Sequence, residues 1–205
     1  MVWNNGSISK VRKLKCVFFL YLFRHGQTDM NIVRRYQGQL LNEKLNAEGV
    51  KQAKELAVSF ADCPLEIIYS SPLRRAYETA RILQDYRGVP LRVAYDLIEA
   101  DHGVADGMLR EEIVAAYPEE FRCWRNLEEA FIDSRFERGE SKREIRNRAV
   151  RVLLDIASCG HTHIAVATHS MVLRCLLTYF GKLQADIPHA QIIRLVAENG
   201  KLSLL

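Results

Sequence analysis

Five short apolar runs, the longest of them eight residues, alternate along this chain with segments of helical period. The runs cover residues 16–23, 67–69, 91–93, 164–168 and 192–196. Each is too short to span a membrane and has the length of a buried strand. Between them, Val50, Ala53, Ala57 and Phe60 recur on one helical face behind Asn46, a candidate N-cap. Ser71-Pro72 reads as a cap and first turn, followed by Tyr77, Ala80 and Leu83 and a stop at Gly88-Val89-Pro90. Ser141 and Glu144 have capping-box spacing ahead of the stripe Ile145, Ala149, Val152, Leu153 and Ile156. A last short helix is expected over residues 171–180. Strands separated by helices predict an α/β fold, a three-layer α/β/α arrangement around a mostly parallel central sheet.

The 205 residues, 48% of them hydrophobic and 26% charged, suit one domain over residues 1–205. Eleven Gly and five Pro are scattered, which leaves no linker or low-complexity block. Residues 102–138 are charged and less regular, broken at Tyr117-Pro118. They read as part of a helical insertion, residues 100–140, lying over the sheet. A net charge of +4 is too small and too dispersed to mark a nucleic-acid surface. Its one cluster, Lys10, Arg12, Lys13 and Lys15, reads as a solvated arm over residues 1–14 in preference to a binding tail. The five cysteines are odd in number and widely spaced, which fits reduced thiols in a cytoplasmic protein. No membrane partner is expected.

Two histidines follow strand ends. His25 comes after Arg24 at the exit of the first run, and His169 follows residues 164–168. In an open α/β sheet the ligand site forms at the carboxyl ends of strands, so both imidazoles can face one pocket. A neutral imidazole is a nucleophile near pH 7 and accepts a phosphoryl group when that group's charge is neutralised. Guanidinium groups neutralise it with fixed bidentate geometry. Arg24 is one such group, and in SSPLRRAYETA both Arg74 and Arg75 compete to be the second. A three-histidine metal site from His161, His163 and His169 is disfavoured, because the first two precede a strand that the third follows.

The segments LFRHGQTDMN, YSSPLRRAYETA, LIEADHG and VATHS, in this order, resemble the histidine phosphatase superfamily, the phosphoglycerate mutase-like family. The resemblance spans residues 16 to about 196. It implies the phosphoglycerate mutase-like fold, a phosphohistidine mechanism and no metal or other cofactor. By position, His25 would be the nucleophile, Arg24 and Arg75 the phosphate-binding arginines, and His169 the second pocket histidine. Glu99 would protonate the leaving alcohol. Asn31, Gln37 and Gly38 fall at positions lining the phosphate or substrate entrance, with Thr28 a weaker pocket candidate. His189 is balanced between an ordinary loop residue and a role near substrate, and Asp29 has no assigned role.

Two departures bear on substrate. Ser170 follows His169 where the family more often has glycine, and offers either a hydroxyl near phosphate or a helix cap. After Glu99 the family often shows Gly-x-Trp-Glu-Gly, whereas this chain has Gly103-Val-Ala-Asp-Gly107, and the smaller residue leaves room or mobility at the pocket mouth. Arg110, Arg122, Arg125 and Arg135 do not form the family's mutase cluster. The expectation is therefore a metal-independent phosphomonoesterase acting on a small phosphorylated metabolite, as a monomer or homodimer. A cofactor-dependent phosphoglycerate mutase and a non-catalytic phospho-ligand binder are the alternatives. Glu99 counts against the binder, which has no use for an acid.

Overall fold

The computed structural model describes residues 17–205. The basic cluster at Lys10, Arg12, Lys13 and Lys15, and Cys16, lie outside the described residues. In chain order the elements are β1 (Val17–Arg24), α1 (Asp29–Ile32), α2 (Ala47–Ser59), β2 (Ile67–Ser70), α3 (Arg74–Arg87) and β3 (Leu91–Val93). There follow α4 (Arg110–Ala116), α5 (Pro118–Arg125), α6 (Lys142–Ala157), β4 (His163–Thr168), α7 (Ser170–Tyr179), β5 (Ile192–Glu198) and β6 (Lys201–Leu204).

The six strands form one sheet in the order β3-β2-β4-β1-β5-β6. The first four are mutually parallel, while β5 runs antiparallel to β1 and β6 antiparallel to β5. Side chains alternate across a strand, and β1 divides its apolar residues accordingly. Leu20 and Leu22 face α6 and α7 through Ala149, Leu153, Val172 and Leu176. Tyr21 and Phe23 face α2 and α3 through Leu56, Phe60, Ala80 and Leu83. This is the three-layer α/β/α architecture expected from the alternation of runs.

Two caps expected from the sequence form. Asn46 accepts from the Gly49 N–H at 2.8 Å, and Ser141 and Glu144 close a capping box at the start of α6. The Ser71-Pro72 cap does not. Helix α3 starts at Arg74 behind Leu73, which makes no side-chain cap. Strand β2 extends to Ser70, and its pairing carries the Ser71 N–H onto the Ala167 carbonyl at 3.0 Å, which commits Ser71 to the sheet end. The run at 192–196 is also not the last strand. Asn199 and Gly200, both at positive φ, turn the chain back into β6, the Asn-Gly pattern that suits a tight hairpin.

Candidate active site

In the β1–β4 register Arg24 lies opposite Thr168, so the chain leaves both strands at one level. His25 and His169 follow as neighbours with ring centres 5.2 Å apart. The His25 N–H donates to the Thr168 carbonyl at 3.0 Å. Its Nδ1–H donates to the Gly26 carbonyl at 2.7 Å, which leaves the ring lone pair on Nε2. A side chain at Gly26 would bring its Cβ to 2.4 Å from the Gly49 carbonyl oxygen, so only glycine permits this turn against α2. From the end of β2, the Ser71 hydroxyl meets His169 Nε2 at 2.7 Å. Arg75, fully buried on the first turn of α3, donates to the carbonyls of Leu41 (2.9 Å), Gln37 (2.6 Å) and Gly38 (3.0 Å). Arg74 instead points outward and pairs with Glu78.

Glu99 is buried. Its carboxylate accepts from the Ala100 N–H at 2.9 Å and from Met171 at the start of α7 at 3.3 Å. Arg148 fixes this stretch from behind, donating to the carbonyls of Asp96, Ile98 and Glu99 and pairing with Glu140. Thr28, itself fully buried, orients two amides: its N–H donates to Asn31 Oδ1 (3.0 Å) and its hydroxyl to Gln37 Oε1 (2.9 Å). The NH₂ groups of Asn31 and Gln37 are thereby the ends left to donate.

The electrostatics keep both central histidines neutral. Burial, then the charges of Arg75 and Arg24, hold His25 well below the usual histidine value, against a smaller opposing effect of its bond to Gly26. Burial and Arg75 likewise hold His169 well below that value. Among the described residues, five buried side-chain nitrogens lack a hydrogen-bond partner. Four of them, Arg24 Nε, Arg75 Nε, His102 Nδ1 and His169 Nδ1, belong to this site. Such groups are costly to bury unpaired, and their convergence marks a place where an acceptor-rich ligand completes them.

One pocket is lined by Arg24, His25, Asn31, Gln37, Arg75, Glu99 and Ser170, so seven of the nine expected positions come together there. His169 lies beneath them, fully buried against His25. Gly38 does not line the pocket. Its carbonyl holds Arg75, its N–H donates to Asp106 at 2.8 Å, and a Cβ there would fall 2.4 Å from Asp106 Oδ2. Ser170 begins α7 and is not its cap. His189 approaches from behind, placing Nδ1 2.9 Å from the His25 carbonyl, and burial above all pushes it down to about 4. The segment His161–His163 sits at the other end of β4, ~20 Å from His169 at the rise of a strand. Among the described residues no group of three or more His, Cys, Asp or Glu is placed to hold a metal ion, and no helix is long and apolar enough to cross a membrane.

The family model described as the histidine phosphatase superfamily (branch 1) matches residues 20–205. The chain belongs to that superfamily. A phosphoserine phosphatase 1 of Hydrogenobacter thermophilus is 38% identical over 170 residues, covering 82% of this chain and 77% of that one. A probable phosphoglycerate mutase of Proteus mirabilis is 33% identical over 161 residues, covering 78% and 73%. Among solved structures, the mycobacterial glucosyl-3-phosphoglycerate phosphatase in complex with VO3 superposes with a TM-score of 0.79 at 27% identity, covering 91% of this chain and 98% of that one. Fold and likeness together make this chain a phosphomonoesterase of the histidine phosphatase type.

Around the expected residues, this histidine phosphatase places others that the sequence reading missed. Arg35, Tyr36, His102, Trp124, Arg125, Met171, Arg174 and Asp186 also line the pocket. Asp106 accepts from the N–H groups of Gly38, Gln39 and Leu40 and so closes the loop that Arg75 also grips. The room expected where the family has tryptophan is not there. Ala105 at that position is fully buried, and the rings of Tyr36, His102 and Trp124 pack together nearby, His102 4.9 Å from Tyr36 and 5.5 Å from Trp124. Arg174 is the most legible of the missed residues, a lone charge inside the apolar helix MVLRCLL.

Proposed function

We propose that this chain hydrolyses a small phosphomonoester through a phosphohistidine formed on His25, with residues 100–140 acting as a cover over the site. The four unpartnered nitrogens around the pocket carry the reading. His25 Nε2 attacks phosphorus as the bond to the alcohol oxygen breaks, and the Glu99 carboxyl gives that oxygen its proton. Water then attacks the phosphohistidine, the P–N bond breaks, and Glu99 takes the water's proton. Arg24, Arg75, His169 and the amides of Asn31 and Gln37 stabilise the equatorial oxygens, so no metal is needed for charge neutralisation.

The substrate carries a second anionic group. Arg35, Arg125 and Arg174 add three guanidinium groups to the pocket, and among the described residues none of the three makes an ion pair. Arg174 is buried, and its contacts are the Gln184 carbonyl (3.3 Å), Met171 Sδ (3.0 Å) and the Arg125 carbonyl (3.4 Å). Asp186 acts on it only from beyond ion-pair distance, and a buried cation with no carboxylate in pairing reach is stabilised when the ligand brings the counter-charge. The same arginines are what favour the second reading, a mutase that holds a phosphorylated carboxylic acid in two orientations. A screen of metabolite phosphates, with 3-phosphoglycerate tested with and without 2,3-bisphosphoglycerate, separates the two by reading free phosphate and isomer formation together. In His25→Ala, turnover of an aryl phosphate should fall by about 10⁴-fold or more, and substantial residual turnover would sink the nucleophile. Glu99→Gln should cost far more on alkyl than on aryl phosphates, and equal losses would remove it from the acid role.

A further inference from the structure

Lys142 is the first residue of α6 and is fully buried. A lysine is rarely so buried unless paired, and the amino end of a helix repels a cation. No carboxylate pairs with it among the described residues. Its ammonium donates instead to the carbonyls of Cys123 (2.7 Å), Trp124 (3.4 Å) and Asn126, and lies 5.9 Å from the centre of the Trp124 ring. These carbonyls lie at the carboxyl end of α5, which ends at Arg125, where a helix runs out of its own donors; that of Cys123 also accepts from the Ser134 hydroxyl at 3.1 Å, whereas Lys142 alone ties all three together. Three N–H groups meet three oxygens.

The end of α5 is also a wall of the pocket, since Trp124 and Arg125 line it and the Arg125 carbonyl accepts from Arg174. An eight-residue helix has little stability of its own, so the position of its last turn depends on what grips it. We propose that Lys142 is a positioning residue for substrate recognition: by holding the carboxyl end of α5 it sets Trp124 and Arg125 against the part of the substrate beyond the phosphoryl group. This rests on the phosphomonoesterase reading above. It adds that affinity for the distal half of the substrate is controlled from outside the pocket, by a residue that touches no ligand.

The grip depends on charge. Burial pushes the Lys142 amine down to about 8. The groups facing it are Arg174 and Cys175 on α7 and Cys123 on α5. The Cys175 thiol is pushed up to about 12 and stays neutral in this range, while Arg174, lowered only to about 10, stays charged. A deprotonated lysine has two N–H groups for three carbonyls and turns a lone pair toward one of them.

The test is competitive inhibition of aryl-phosphate hydrolysis by 3-phosphoglycerate and by inorganic phosphate, in the wild type and in Lys142→Met. The variant should raise Ki for 3-phosphoglycerate about tenfold and leave Ki for phosphate within twofold. In the wild type the ratio of the two Ki values should climb as pH rises through 8, and in the variant it should be high and flat. Trp124 emission, read in a Trp3→Phe, Cys123→Ser background, should titrate over pH 7–9 with Lys142 in place and should not in Lys142→Met. Equal rises in both Ki values, or a wild-type ratio and emission both flat over pH 7–9, would overturn the proposal. The wild-type series decides even where the variant fails to fold. An absence of aryl-phosphate turnover in the wild type would instead count against the phosphomonoesterase reading and leave the emission titration to decide on Lys142.

Discussion

The two ends of β1 and β4 carry the same residue type under opposite conditions. At the amino ends, His163 stacks on Phe19 with ring centres 4.9 Å apart and planes 11° apart, and its Nδ1 meets the Tyr21 hydroxyl at 3.0 Å. His161 beside it meets the Glu66 carboxylate at 3.2 Å. At the carboxyl ends, His25 and His169 are buried beside two arginines, and each has one ring nitrogen bonded to the protein and the other available. On the proposed function an imidazole is structural or chemical according to which strand end it leaves and what its second nitrogen finds. Sheet topology makes that difference available, because in parallel strands both carboxyl ends open on one side.

His169→Ala breaks the comparison most severely. On the proposed function it removes a donor to the phosphoryl oxygens and a neighbour of His25, and turnover should fall by about 10²–10³-fold with the fold retained. Steady-state kinetics alongside a melting curve measure both. A loss below tenfold would put His169 on a par with His163.

The pH response should separate the ends next. Burial and neighbouring arginines depress His25 and His169, burial depresses His102 against the opposing charges of Glu99 and Asp106, and burial with Arg24 takes His189 to about 4. A histidine depressed in the fold binds its proton more readily when unfolded. Stability should therefore be full above about pH 6.5 and fall below it, by up to about 1.4 kcal/mol per pH unit for each such histidine, until the folded values are reached. Inorganic phosphate should oppose this loss, because a dianion beside Arg75 and Arg24 offsets the charges that depress His169 and favours its protonation. Calorimetry of phosphate binding at pH 7 in two buffers of different ionisation enthalpy should register proton uptake once the proton that the phosphate monoanion loses on binding as the dianion is subtracted. Binding without uptake would mean that His169 stays neutral under the phosphate.

The carboxyl-end half of the site was legible in the sequence because it is local. Arg24-His25 and His169 each sit next to an apolar run, and Arg75 sits one turn beyond another, so recognising the runs places the residues. The remainder is tertiary. Arg35, the Trp124-Arg125 pair and Arg174 come from three separate segments with no shared pattern, which is why residues 100–138 taken alone showed no basic cluster. Lys142 reads as an ordinary first-turn residue until α5 is packed against it. One miss had a signal that was present and unused, and another had none. Asn199-Gly200 between alternating segments marks the β5–β6 hairpin, and Ser71 looked like a cap because nothing local shows that β2 carries it to His169.

Ser71→Ala sharpens the comparison at smaller scale. It removes two hydrogen bonds, the one to a buried imidazole that keeps its packing and one from the Leu73 N–H at 3.3 Å, each worth about 1–1.5 kcal/mol, so kcat should fall about tenfold and stability by about 1–3 kcal/mol. An unchanged kcat would mean that packing alone orients His169.

His163→Phe should show the smallest effect on activity and is the cleanest control. Phenylalanine preserves the stack on Phe19 and costs the Tyr21 hydroxyl one partner, a loss of about 1 kcal/mol in stability. Turnover should stay within twofold, since the length of β4, His163–Thr168, separates this position from the pocket. Urea denaturation and kcat/KM on the same preparation read both quantities. A tenfold loss of turnover would show that the amino ends of the strands communicate with the phosphate site, and the division of roles between the two ends of the sheet would not hold.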